Sequence, residues 1–261
     1  MRSLLILFLS FCLTAALAQP PFYTIANTHS HNDYEQRIPF WLAYNAGFGS
    51  IEADIWLRAG KLLIGHDSNE IRSGRTLEEY YIRPLDSCVK KNNGHPFADA
   101  GRQLQLLIDI KTDSIGTLDG LIALLKKYPL LMGSPSLKWV ITGNRPSSSL
   151  FSSYPSFIWF DGVLHEDYDD QALGRICMMS DDFQVYSCWN GQDNIPDTDW
   201  QRLQQAVSRS HRLHKHVRFW RAPDFSNAWR TFIRLQVDYI NTDHIAALSA
   251  FLKELPAQEL R

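Results

Sequence analysis

Four cysteines in 261 residues are too few for a disulfide scaffold. Cys12 falls in the leader described below, which leaves Cys88, Cys177 and Cys188. Cys177 and Cys188 are near enough in sequence to pair, and three reduced thiols are the equal alternative. There is also no excess of charge of either sign. A formal net charge of −2 gives no electrostatic reason to expect nucleic acid or an anionic membrane as a partner. No repeat, low-complexity tract or Gly/Ser linker divides the chain, so it reads as one domain. Beyond the first residues no stretch approaches the ~18 apolar residues of a membrane span. A G-x-G-x-x-G fingerprint is missing as well, which argues against a dinucleotide-binding open sheet.

What is present begins with Met1-Arg2, a nearly continuous apolar run from Leu4 to Leu13, and Ala16-Leu17-Ala18 before Gln19. This reads as a secretory signal peptide over residues 1–18 with an A-x-A cleavage site. Phe11 directly before Cys12 argues against a lipoprotein signal. The remaining 19–261 are expected to form an exported, secreted or periplasmic monomer.

Short apolar runs then alternate with helical patterns. Candidate strands are 23–28, 49–56, 104–110, 138–142, 157–163, 183–187, 217–220 and 237–241. Helical candidates include 39–46, 114–128, 197–213, 225–234 and 245–255. Asp197 and Asp199, and Asp243, precede two of these and are candidate N-cap oxygens. Eight βα units of about 30 residues predict a single-domain α/β fold, a TIM (β/α)8 barrel. Barrel chemistry sits at the C-terminal ends of the strands. The polar residues there are His29 and His31, Glu52 and Asp54, Asp109 and Lys111, and Asn241 and Asp243, with His66 and Asp67 after a short hairpin strand.

Glu52 and Asp54 lie two residues apart in a strand, so both carboxylates share a face. Neither Lys nor Arg is near enough in sequence to neutralise them, and two such charges on a half-buried strand are costly without a proton or cation between them. With Asp109 they form an oxygen-rich set suited to one hard divalent cation, Mg²⁺ or Ca²⁺. His29 and His66 are placed to flank such an ion as acid and base, because an unperturbed histidine titrates near neutrality. Lys111 would stabilise developing negative oxygens. The basic stretch Arg209–Arg218, with His211, His214 and His216, reads as a solvated helix end. Asp167–Asp170 and Asp181-Asp182 read as acidic turns.

The motifs His29-Ser30-His31-Asn32-Asp33-Tyr34, Ile51-Glu52-Ala53-Asp54-Ile55-Trp56, Gly65-His66-Asp67 and Asp109-Ile110-Lys111 resemble, in order, those of the phosphatidylinositol-phospholipase-C-like phosphodiesterases. That superfamily includes the glycerophosphodiester phosphodiesterases, and the altered-inheritance-of-mitochondria protein six group shares the first motif. The resemblance implies a TIM barrel hydrolysing a small-molecule or lipid phosphodiester. It further implies Glu52, Asp54 and Asp109 as metal ligands, His29 and His66 as the acid/base pair, and Lys111 as a phosphate contact. Trp220 is a pocket wall on the same grounds, with Asn32 and Asn241 as substrate contacts. Glycerophosphodiesterases begin with His-Arg-Gly; here Ser30 and His31 take the last two places, so the usual phosphate-binding arginine is missing. His31 is then a second candidate for the catalytic histidine. Two other readings are an amidohydrolase-type site built on His29, His31 and Asp243, and a barrel that binds a phosphorylated ligand without turnover.

Overall fold

A computed structural model describes residues 23–259; the signal-peptide reading of 1–18 lies outside the described residues. Eight parallel strands form the barrel: β1 (Thr28–Ser30), β2 (Ser50–Arg58), β4 (Leu104–Ile110), β5 (Leu137–Gly143), β6 (Ile158–Val163), β7 (Ile176–Asp182), β8 (His216–Trp220) and β9 (Ile240–Thr242). Their order is β8-β7-β6-β5-β4-β2-β1-β9, and a bridge between Arg218 and Tyr239 joins the two ends. The short β3 (Lys61–Ile64) folds back antiparallel on β2. Among the described residues the α-helices are α1 (Trp41–Ala46), α2 (Arg83–Lys91), α3 (Ser114–Leu125), α4 (Pro129–Gly133), α5 (Asp170–Leu173), α6 (Asp197–Arg212), α7 (Ser226–Arg234) and α8 (Ile245–Glu254).

Strand alternation sorts the side chains into two cores. Ile51, Ala53, Ile55, Leu106, Ile108, Trp139 and Ile141 belong to the main core, whereas Leu107, Val140 and Met178 form a small separate cluster with Trp159 and Tyr239 against it. Both faces are buried over Ser50–Ile55 of β2 and Leu104–Ile108 of β4, so apolar residues fill both faces there except at Ser50, Glu52, Asp54 and Gln105. Parallel register sets Asp54 beside Asp109, and Asp109 beside Thr142.

The seventh barrel strand departs from expectation. The chain is extended over Ile176–Asp182, while the expected strand at 183–187 begins as a 3-10 turn over Phe183–Val185. Phe183 is an anchor there, edge-on to Phe219 and Phe232. Cys-Met-Met-Ser-Asp-Asp has little β-branched character, so burial on both faces, not propensity, makes the strand. The same shift separates Cys177, at the start of β7, from Cys188 beyond its end, and all three cysteines of the described residues are free. Neither expected acidic cap forms. Pro196 and His244 hold the N-cap positions of α6 and α8, without side-chain caps.

Candidate active site

A cavity of about 600 Å³ opens at the C-terminal end of the strands. One side of it is acidic. Glu52, Asp54 and Asp109 each offer a carboxylate oxygen within 4.8 Å of the others, and this is the one group of three or more such ligands among the described residues. Lys111 Nζ bridges Asp54 Oδ2 (3.0 Å) and Asp109 Oδ2 (2.9 Å). Asp54 Oδ2 also receives the Tyr34 hydroxyl at 2.8 Å and His66 Nδ1 at 3.2 Å. The other oxygen of each aspartate, Oδ1, is buried and has no partner. Burial, then the charges of Glu52 and Asp109, push Asp54 up to about 7, and burial raises Asp109 as well. Two orphaned carboxylate oxygens among mutually repelling acids are a donor set that a hard divalent cation fits.

Glu52 is held differently. Burial pushes its pKa up, but the Arg218 guanidinium and His29 outweigh that and hold it well below the usual range. Arg218 Nη1 lies 3.3 Å from Glu52 Oε2, 3.2 Å from Asn241 Oδ1 and 2.8 Å from His29 Nε2. Gln105 donates to Ser50 Oγ (3.0 Å), and Ser50 Oγ is hydrogen-bonded to His29 Nδ1 (2.7 Å). His29 Nε2 lies 2.9 Å from Glu52 Oε2 as well as beside Arg218, so it stands between the acid and the guanidinium. Burial, reinforced by Arg218, pushes His29 down to about 4, so the ring is neutral. Both its nitrogens are engaged, and it is wholly buried beneath the cavity. His31, by contrast, lines the cavity with its Nδ1 on Asp243 Oδ1 at 2.8 Å. Asn32, His66, Lys111, Arg218 and Trp220 line it too, while Asn241 is not part of the wall and accepts from Arg218. His29 and His31 share no ion site with Asp243 among the described residues.

Gly143 sets how close β5 comes to the acids. Its φ is +69°, and a Cβ there would fall 1.9 Å from Asp109 Oδ1. Gly143→Ala is expected to weaken Mg²⁺ binding at least ~10-fold, since displaced ligands cost that much. Gly60→Ala is the control: its φ is +73° with nothing within 4 Å. It should lose about 1 kcal/mol of stability and no ion affinity. Calorimetric titration with melting curves separates the two, and equal Mg²⁺ binding in both variants would remove Gly143 from the site.

Several residues of the cavity escaped the sequence reading. Arg218 is not on a solvated helix end but on β8, 3% exposed inside the barrel. Asp181 is not in a turn; it is the penultimate residue of β7, and its carboxylate is paired with His165 (2.6 Å) and accepts from Tyr186 (2.9 Å). Asp161, Arg145 and Arg221 complete the far wall. A charged residue inside an otherwise apolar strand, as in Val217–Trp220 and Ile158–Val163, was the available signal.

Residues 23–128 match the AIM6-like phosphodiesterase domain, and residues 216–246 match the glycerophosphoryl diester phosphodiesterase family. Altered inheritance of mitochondria protein 6 from Eremothecium gossypii is 28% identical, over 87% of this chain and 69% of that protein. The homologue from Arthroderma benhamiae is 27% identical, over 85% and 82%. In fold, the chain is similar to glycerophosphodiester phosphodiesterases from Parabacteroides distasonis (TM-score 0.53, 14% identity, 87% and 96% covered) and Agrobacterium tumefaciens (0.52, 15%, 87% and 97%). Two family segments that bracket the barrel and relatives matched over 85–87% of this chain support an assignment to the glycerophosphodiesterase and phosphatidylinositol-phospholipase-C-like superfamily, near the altered-inheritance-of-mitochondria 6 proteins, and the solved structures share its TIM-barrel fold.

Proposed function

We propose that this protein is an exported, metal-dependent phosphoric diester hydrolase. The observation that carries the reading is one cavity lined by Glu52, Asp109, Lys111, His31 and His66, with the buried Asp54 offering an oxygen within 4.8 Å of both other carboxylates. Glu52, Asp54 and Asp109 would hold the cation, Mg²⁺ or Ca²⁺, which when bound supplies positive charge to the phosphate oxygens. His31, steadied by Asp243, takes the proton of the attacking hydroxyl, either water or a neighbouring hydroxyl of the substrate's own alcohol. In the second case a cyclic phosphate forms. His66, also in the cavity wall and 54% exposed in its side chain, returns a proton to the leaving oxygen. Lys111 and Arg218 place fixed positive charge where negative charge grows. His29 serves as a positioning residue for Glu52. Export rests on the leader motif of residues 1–18.

Purified protein should hydrolyse bis(p-nitrophenyl) phosphate and lose that activity on chelation. Retention of full activity in excess chelator would overturn the metal-dependent reading.

A pH profile tests the base. Burial pulls His31 down, but the hydrogen bond to Asp243 and the charges of Glu52 and Asp243 outweigh it and leave its pKa raised. A base works when neutral, so kcat/KM should fall as pH drops through that raised value. Asp243→Asn removes a stabiliser of the imidazolium, and the acid limb should move to lower pH. An unmoved limb would exclude His31 as the base.

A further inference from the structure

The loop from Gly65 to Arg75 carries His66, and most of it faces solvent: His66 to Glu70 are exposed, as are Arg72 to Gly74. Its hydrogen bonds close it on itself. Glu70 Oε2 accepts from the backbone N–H groups of His66 (3.0 Å) and Asp67 (3.2 Å), and Arg72 Nη1 donates to the carbonyls of Asn69 (2.7 Å) and Ile71 (3.1 Å). The loop that follows β1 is the opposite case. Asp33 and Tyr34 there are wholly buried. Asp33 accepts from the Ser30 hydroxyl (2.8 Å), the Tyr81 hydroxyl (2.9 Å) and the Phe40 N–H (2.6 Å), and the Tyr34 hydroxyl reaches Asp54. Arg75 joins the two loops. Its Nη2 donates to the Tyr34 carbonyl, its guanidinium lies 5.7 Å from the Tyr34 ring centre and 5.8 Å from that of Tyr80, and its Nη1 is 3.8 Å from Glu35 Oε1. Its own carbonyl accepts from the N–H of Ile64 at the end of β3 (2.9 Å). The far end of the His66 loop is thus anchored in the loop of His31.

We propose that Arg75 is a positioning residue that locks the loop of His66 to the loop of His31 and so sets where the proton donor stands. This rests on the hydrolase reading, which makes His66 the acid. The contact of His66 with Asp54 Oδ2, at 3.2 Å, falls on an oxygen that the Tyr34 hydroxyl and Lys111 also approach. So shared a contact does not hold an exposed ring in one place, and a misplacement of about 1 Å costs a reaction up to about 10²-fold. Tyr34 closes the ring of contacts, because its carbonyl holds Arg75 while its hydroxyl shares Asp54 Oδ2 with His66. An arginine suits this task better than a lysine. Its planar fork aims N–H donors at fixed angles and lies over aromatic rings, whereas an ammonium keeps the charge and loses both features.

Two esters that differ in their need for an acid provide the test. p-Nitrophenolate leaves bis(p-nitrophenyl) phosphate as a stable anion, whereas either alcohol of glycerophosphocholine needs a proton as it leaves. Arg75→Ala should lower kcat on glycerophosphocholine about 10- to 100-fold, with little change on bis(p-nitrophenyl) phosphate. Arg75→Lys, which keeps the charge, should show the same selectivity. In a His66→Ala background Arg75→Ala should cost nothing more, because it acts through that histidine. Amide hydrogen exchange over 66–70 should quicken in Arg75→Ala. Equal losses on the two esters, as a merely structural role would give, losses that add in the double variant, or unchanged exchange would overturn the proposal. So would a wild type that cleaves only the nitrophenyl ester. A wild type that cleaves neither ester would remove the hydrolase reading, and the proposal with it.

Discussion

Glu52→Gln is expected to abolish measurable divalent-ion binding and to lower kcat/KM at least ~10³-fold. A bound cation is worth several kcal/mol at a phosphoryl centre, and each 1.36 kcal/mol is a factor of ten. Glu52 is also the carboxylate against which Arg218 is buried, the two side chains being 5% and 4% exposed. The amide leaves that guanidinium without its counter-charge, so the variant should melt lower as well; breaking a buried pair in this way costs about 3–5 kcal/mol. Ion titration by calorimetry and turnover of bis(p-nitrophenyl) phosphate, both below the variant's melting temperature, read the two effects separately. Wild-type activity in Glu52→Gln would refute its place in the ion site.

The second large effect separates the two histidines of the first motif. His31→Ala should cost about 10²- to 10⁴-fold in kcat, the usual worth of a positioned acid or base, with little change in melting temperature. Its side chain is 26% exposed and rests on an Asp243 that is itself 57% exposed. His29→Ala should act chiefly on stability, because it opens a buried gap in the chain from Gln105 through Ser50 to Glu52. Turnover and melting curves on both variants decide the matter. Unchanged turnover in His31→Ala, with loss of turnover but not of stability in His29→Ala, would hand the base to His29.

The acid-bearing half of the cavity was legible because each part is local. Glu52 and Asp54 share a strand face, Asp109 and Lys111 repeat that spacing, and His66 ends the hairpin that pairs with β2. The barrel itself followed from alternating periodicities, and even the misplaced strand at 183–187 left the count of eight intact. The far wall was not legible, because its meaning is tertiary. Arg218 looked like the tail of a basic helix until β8 turned it inward against Glu52, 166 residues away in sequence. Asp243 offers an N-cap oxygen to any local reading, and only β1 lying beside β9 gives it His31 instead. Gly143 reads as an ordinary turn residue; its need for no Cβ comes from an aspartate on the neighbouring strand. Asp161 announced itself only as a charge in an apolar run.

The central claim is that Glu52, Asp54 and Asp109 close on a single divalent ion. Diffraction from crystals soaked in Mn²⁺ tests it directly. The account predicts one anomalous peak about 2.0–2.2 Å from an oxygen of each of the three carboxylates. A peak elsewhere in the cavity, or an undisplaced Lys111 bridge with no peak beside the Oδ1 atoms of Asp54 and Asp109, would contradict it.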